Sequence, residues 1–435
     1  MKIGAISLGC DKNRVDTEKM LSRLTNGGHT LVGSEEEADV IIVNTCAFID
    51  KAKEESIDEI LNAISAKKSD KKKKIIVTGC LAQRYADTIK EEFPEVDAVL
   101  GIADYDEILS TVQRVSEGDK VYDCVVKDNF YENRVLTTPY HYAYLKIADG
   151  CDNHCTYCAI PSIRGKYRSE KMLDLLAEAK KLADDGVKEL ILVAQDVTRY
   201  GTDIDGKPHL IELVDELSKL DFEWIRLLYL YPEMVDDTLI DYVLSNPKVV
   251  KYMDIPLQHI DDAVLKRMNR RTDEKSVREL IAKLKKAGIA IRTTFICGFP
   301  GETEAQFEKL KTFVEETKFD YAGFFAYSRE EGTPADRLDG HLDEEVKQAR
   351  ADELCAIQAK IIQNRNADKI GERVRVIYDD IDYDKQLFVG RTSTQAPDID
   401  NVVYFTSDER VQVGNFYDVQ IEGTDGIDLV GRCME

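Results

Sequence analysis

Over the first 330 residues, short apolar runs alternate with stretches of helical periodicity. Strand-length runs fall at 2–7, 40–44, 75–79 and 98–100, and apolar positions near a 3.6-residue period predict helices over 14–24, 54–66 and 83–92. Buried strands alternating with amphipathic helices imply a parallel, doubly wound α/β sheet. Six further strand candidates follow at 142–147, 190–194, 224–228, 249–255, 290–296 and 321–327, each with a helical stretch behind it. They predict a partial (β/α)6 barrel, open along one side, with its chemistry at the carboxyl ends of the strands. A charged helix over 344–366 leads to short strands at 374–378, 387–390, 402–405, 417–422 and 429–432, read as a small antiparallel β-barrel. The pattern divides the chain at 1–135, 136–368 and 369–435.

Composition narrows the setting. The apolar runs are far shorter than the ~20 residues of a membrane span, and the chain enters its first strand without a signal pattern. Ten cysteines in such a chain point to a reducing cytoplasm and metal ligation in preference to disulfides. A net charge of −23 argues against a direct grip on nucleic acid and suits a basic macromolecular partner. The basic run 67–74 reads as a solvated loop between a helix and a strand.

The cysteines carry the chemistry. Cys151, Cys155 and Cys158 form C-x3-C-x2-C directly after Gly150. Thiolates suit iron–sulfur centres, and three of them hold three irons of a 4Fe–4S cluster while the fourth stays open to a small molecule. The alternative is structural zinc with His154 as fourth ligand, but a second knuckle is missing. Cys10, Cys46 and Cys80 each follow the carboxyl end of a predicted strand. Adjacent parallel strands share that edge, so a second three-cysteine site is expected there, against the alternative of three unrelated buried thiols. Gln195-Asp196 and Gln258-His259 also fall at strand ends, and Gly298 and Gly301 allow close backbone approach in the loop after the fifth strand. His259 is read as an ordinary polar residue, Cys297 as a false seventh ligand, and Cys124, Cys355 and Cys433 as having no role.

Both triads, with Cys158-Ala159-Ile160-Pro161-Ser162-Ile163-Arg164-Gly165, Leu192-Val193-Ala194-Gln195-Asp196, Arg199-Tyr200-Gly201 and Ala396-Pro397-Asp398-Ile399-Asp400, resemble the radical S-adenosylmethionine (SAM) methylthiotransferase family. The similarity spans essentially the whole chain and is nearest to the ribosomal-protein aspartate subgroup. It implies an N-terminal cluster domain, a radical SAM barrel and a C-terminal TRAM domain, with two 4Fe–4S clusters on the two triads. SAM would chelate the open iron of the Cys151 cluster and serve as radical source, and also as methyl donor. The other cluster would hold the sulfur. The reaction implied places a methylthio group on the β-carbon of an aspartate in small-subunit ribosomal protein number twelve.

Contacts to SAM are expected from Gln195 and Asp196. Tyr157 is placed to pack near the adenine or simply to fill the core, and Gln258 and Arg292 either touch SAM or are paired elsewhere. No catalytic side chain beyond the cluster and SAM sites is expected. The partners implied are the basic ribosomal protein, free or on the ribosome, an electron donor and a sulfur donor, with no membrane. The alternatives are methylthiolation of an adenosine in transfer RNA, or a non-catalytic iron–sulfur protein that docks on the ribosome. From Glu372 onward fourteen acidic side chains face six basic ones, a poor surface for RNA.

Overall fold

The computed structural model describes residues 1–102, 107–124 and 134–434. Its first sheet has six parallel strands: β1 (Lys2–Ser7), β2 (Thr30–Leu31), β3 (Val40–Thr45), β4 (Lys74–Gly79), β5 (Ala98–Leu100) and β6 (Val121–Asp123). Their order is β2-β1-β3-β4-β5-β6. Every residue of β3 is buried, as expected of a β-branched strand covered by helices on both faces. The short β2 and β6 were not predicted. The helix expected over 83–92 starts earlier, at Cys80, and breaks at Tyr85 (φ −131°, ψ 36°) into Cys80–Arg84 and Ala86–Glu92.

The basic run is solvated only in part: Lys68, Lys71 and Lys72 are exposed, but Lys67 and Lys73 are committed. Lys67 pairs with Asp97 and donates to the Glu95 carbonyl at 2.7 Å. Lys73 Nζ donates to the carbonyls of Glu35, Glu36 and Ala38 at 2.9, 2.7 and 2.7 Å. These carbonyls belong to the turn before β3, where no neighbouring strand satisfies them.

The second sheet begins with β7 (Tyr142–Lys146). A two-stranded ribbon of β8 (Ala148–Asp149) and β9 (Arg168–Ser169) follows, then β10 (Glu189–Val193), β11 (Trp224–Leu227), β12 (Val249–Asp254), β13 (Ala290–Cys297) and β14 (Tyr321–Ala326). Strands β7 and β10 to β14 run parallel in sequence order and form a six-stranded open barrel. Its lumen is lined by Tyr142, Tyr144, Ile191, Val193, Trp224 and Tyr252. Val15, from the helix Asp11–Asn26, and Ile377 and Ala396, from the last domain, pack into the same cluster. Thus both flanking domains help to close the lumen.

The helix Glu344–Asp368 leads to five strands, β15 (Arg373–Asp382), β16 (Leu387–Thr392), β17 (Val403–Thr406), β18 (Phe416–Asp425) and β19 (Asp428–Cys433), closed in the order β15-β16-β17-β19-β18. Four pairings are antiparallel and β17/β19 is parallel. Parity requires this, because a ring of five strands cannot alternate direction at every neighbour.

A buried ion cluster docks this barrel on the second sheet. Arg391 donates through Nε to Asp379 at 2.7 Å and through Nη1 to Glu189 at 2.8 Å. Glu189 also accepts from Arg226 Nε at 2.7 Å, and His141 Nε2 lies 2.7 Å from Asp379 Oδ1. Burial opposes the charge on Glu189 and Asp379, but Arg391, joined by Arg226 at Glu189 and by His141 at Asp379, holds both carboxyls below their ordinary range.

Replacing Arg391 by Met leaves two buried carboxylates without their main partner and should cost about 3–5 kcal/mol in urea unfolding. Because the folded-state values of Glu189 and Asp379 are depressed, the cluster's contribution is full above the unfolded value of roughly pH 4 and is lost as pH falls through the folded values. The wild-type and R391M stabilities should therefore differ most near neutrality and converge in acid; a constant difference down to acid pH contradicts this assignment.

Candidate active site between two cysteine triads

The first sheet brings the ends of β1, β3 and β4 side by side, and with them Cys10, Cys46 and Cys80. Cys10 precedes the helix Asp11–Asn26 as its cap residue. Gly9, at φ +85°, lies so close to Cys46 that a Cβ on it would stand 2.7 Å from both Cβ and Sγ of that cysteine. Gly79, at φ +94°, seats Cys80 and leaves no room for a Cβ beside Asn44 and the Thr45 backbone. Only glycine takes such a backbone in so tight a place.

Burial first, then the proximity of Cys80 and Cys10, pushes the Cys46 thiol up to about 12. Burial raises Cys80 as well, against the Arg164 guanidinium. Arg164 Nη2 donates to Cys80 Sγ at 3.6 Å.

The second triad lies in the loop after β8, at the carboxyl end of β7. Gly150 turns at φ +78°, where a Cβ would meet the Lys166 carbonyl at 2.1 Å. The loop is pinned from outside: Thr156 N donates to Met268 O at 3.0 Å, Asn269 Nδ2 to His154 O at 2.9 Å, and Ala335 N to Thr156 O at 2.9 Å. Tyr231, past the end of β11, puts its hydroxyl 3.1 Å from Cys155 Sγ. Arg270 sits 4.0 Å over the Tyr231 ring, its Nη1 3.9 Å from the same sulfur. Burial is the main reason that Cys151 is raised to about 11 and Cys158 to about 12.

A buried polar network joins the triads. Arg164 Nη1 reaches Asp16 Oδ2 and both oxygens of Asp149 at 3.1 Å, and Nη2 reaches Asn13 Oδ1 at 3.4 Å. Lys146 pairs with Asp16 and, at 3.2 Å, with Asp149. Burial works against ionised Asp149, yet Arg164 and Lys146 keep its carboxyl far below the carboxylate range. Asp16 belongs to the helix that Cys10 begins, and Asp149 stands two residues before Cys151.

Of the other expected residues, Gln195 donates through Nε2 to Asp149 at 3.3 Å, while its Oε1 is buried with no partner among the described residues. Asp196 is fully buried and accepts from Asn153 Nδ2 at 2.9 Å and Thr198 N at 3.1 Å, so it braces the cysteine loop from behind. Tyr157 packs against the cluster of Val264, Met268, Phe299, Tyr327 and Ala335. Gln258 takes φ +72° and exchanges backbone hydrogen bonds with β13. Arg292 is committed to Asp254 at 3.2 Å and to Asp400 of the last domain at 3.4 Å.

His259 is fully buried, 3.3 Å from Glu302, and Cys297 lies inside the barrel's outer core. Sequence reading gave no role to Arg164, Asp149, Lys146, Tyr231 or Arg270. The signal was present for Arg164 alone, inside the segment quoted with the cysteine loop.

The donor sets fit iron–sulfur clusters. A 4Fe–4S cluster asks for one thiolate on each of three different irons. Protonated, buried thiols become ligands when the metal displaces their protons, and the orphaned Gln195 Oε1 offers an acceptor to a donor outside the chain.

Comparison with known proteins agrees with this geometry. Residues 2–101 match an uncharacterised protein family designated UPF0004, 145–314 the radical SAM superfamily, and 370–434 the TRAM domain. A protein of Clostridioides difficile (strain 630) named ribosomal protein uS12 methylthiotransferase RimO is 48% identical over 440 residues, covering 100% of this chain and 99% of its own. Its namesake in Clostridium botulinum (strain Eklund 17B) is 47% identical, covering 99% of this chain and 97% of its own. Among solved structures, the radical SAM methyltransferase TsrM of Kitasatospora setae, with cobalamin and a 4Fe–4S cluster bound, superposes with a TM-score of 0.56 at 14% identity. The alignment covers 77% of this chain and 76% of that one, and the likeness is one of fold.

Replacing Gly9 by Ala forces a Cβ against Cys46 at a positive φ and should cost about 1–2 kcal/mol of stability. After anaerobic reconstitution, iron and sulfide per chain should fall to the share of one cluster; full loading of G9A would count against a cluster on the first triad.

Proposed function

Because the chain belongs to the ribosomal protein uS12 methylthiotransferase family, we propose that it is a radical SAM enzyme placing a methylthio group on the β-carbon of an aspartate of uS12. The observation that carries this reading is the pair of cysteine triads, each at the carboxyl end of a parallel sheet and joined by one buried network. Cys10, Cys46 and Cys80 hold one 4Fe–4S cluster, and Cys151, Cys155 and Cys158 the other. When bound, the clusters and SAM supply the electron transfer, the radical and the methyl and sulfur groups that side chains cannot.

The chain's own residues orient and enclose. Arg164, Lys146, Asp16 and Asp149 fix one triad against the other, so reacting atoms meet in a set geometry. Tyr231 and Arg270 lie against Cys155, where their O–H and N–H would draw charge off a metal-bound sulfur. Gln195, anchored on Asp149, keeps a free carbonyl that would accept from the SAM amino group. Lumen aromatics, with Val15 and Ala396, exclude water below the site.

The TRAM barrel supports a protein substrate over transfer RNA. Of the six cations from Glu372 onward, Arg373, Arg375, Lys385, Arg391 and Arg432 are paired with carboxylates and exposed Arg410 follows Asp408 and Glu409, which leaves a surface poor in available cations for phosphate. No helix among the described residues is long and apolar enough to cross a membrane. The setting that fits is the cytoplasm, with uS12 met free or on the ribosome, and with separate electron and sulfur donors.

The reconstituted enzyme, given SAM, dithionite, sulfide and uS12, should add one methylthio group to one aspartate, read by mass spectrometry. Alanine at Cys10, Cys46 and Cys80 should abolish the transfer while reductive cleavage of SAM to 5′-deoxyadenosine persists. Alanine at Cys151, Cys155 and Cys158 should abolish both. Modification of transfer RNA in place of uS12 would reverse the choice of substrate.

A further inference from the structure

The reaction proposed above requires an aspartate side chain to enter the space between the triads, and a buried carboxylate there needs a cation. Most arginine and lysine heads around that space are already held. Arg164 and Lys146 serve Asp16 and Asp149, and Arg292 serves Asp254 and Asp400. Arg270 donates to the Pro256 carbonyl at 2.8 Å and covers Tyr231. Arg14 lies 3.6 Å from Asp398.

Lys12 differs. It stands two residues after Cys10, on the first turn of the helix Asp11–Asn26, and is only 6% exposed. Among the described residues its ammonium is in no ion pair; it rests 3.3 Å from the centroid of the Tyr229 ring. Tyr229 follows β11 at the carboxyl end of the barrel, held at φ +63° with its N–H on Asp254 at 3.1 Å and its hydroxyl on Asp11 at 3.1 Å. Asp11, which that hydroxyl meets, is the residue next to Cys10. The Lys12 head therefore sits where the first triad meets the mouth of the barrel, desolvated and balanced chiefly by an aromatic face.

We infer that Lys12 is the specificity residue that receives the carboxylate of the substrate aspartate. The inference rests on the uS12 reading. A face-on aromatic ring holds an ammonium weakly compared with a carboxylate, so the Tyr229 ring parks the lysine head until the substrate arrives. The bond formed is a charge-assisted hydrogen bond one carbon away from the position to be modified. It would orient the β-carbon and reject neutral side chains of similar size, because an amide in that place would leave the ammonium without its counter-charge.

The test compares purified uS12 with its form carrying Asn for the target aspartate, using reconstituted enzyme and its K12M and K12R variants. Iron and sulfide content serve as the loading control. Wild type should favour the aspartate form by on the order of 100-fold in kcat/KM and bind it more tightly in fluorescence anisotropy. In K12M that preference should collapse to a few-fold, and K12R should retain most of it. K12Q is read in the same way if K12M loads poorly.

A K12M or K12Q enzyme that keeps the wild-type preference, whatever its rate, would reduce Lys12 to a clamp on Tyr229 and overturn the inference alone. A loaded wild type that leaves uS12 unmodified would overturn the functional reading, and this inference with it.

Discussion

Four buried charges set the arrangement of this protein: Asp16, Lys146, Asp149 and Arg164. Each cation touches both anions, and one anion comes from the first sheet's domain while the other three groups come from the barrel. Separating the domains would strand ions in an interior that cannot solvate them, so only one docking satisfies all four. Apolar contact between Val15 and the lumen tyrosines adds area but little direction. The register between the two cysteine triads is therefore fixed ionically, with Arg164 in contact with Cys80 and Asp149 adjacent to the loop of Cys151.

The same burial that fixes the network keeps the thiols quiet. Cys46, Cys151 and Cys158 are raised well above the pH of a cell mainly by desolvation, so they wait as neutral thiols, poor in nucleophilicity and slow to oxidise. Neighbouring donors such as Arg164, Tyr231 and Arg270 then meet sulfur that gains charge only once a metal is bound. Chemistry at the site is in this way made conditional on loading.

Local patterns made the cysteine triads and most strands legible: a spacing of three and two residues, and apolar runs such as 40–43 that end in a cysteine-bearing turn. What escaped was either too short or too distant. Strands of two and three residues, β2 and β6, carry no period, and the break at Tyr85 lies inside an unbroken helical pattern. Lys73 looked solvated because the carbonyls it caps precede it by more than thirty residues. Arg292 could be read as a SAM contact or as paired, and which partner holds it stayed hidden because Asp400, in another domain, is invisible to any local reading. The parallel β17/β19 pair follows from ring closure, which depends on strand number and not on any one segment.

The loop that carries Ala396 and Asp400 also bears on the order in which the protein is built. Its residues seat in the lumen of a barrel whose strands were completed some seventy residues earlier in synthesis, and β19, which the ring needs for closure, ends at Cys433. A nascent chain has both cysteine triads well before it has a floor beneath them. Until that loop is made, the lumen aromatics lack the cover that Ile377 and Ala396 give them from below.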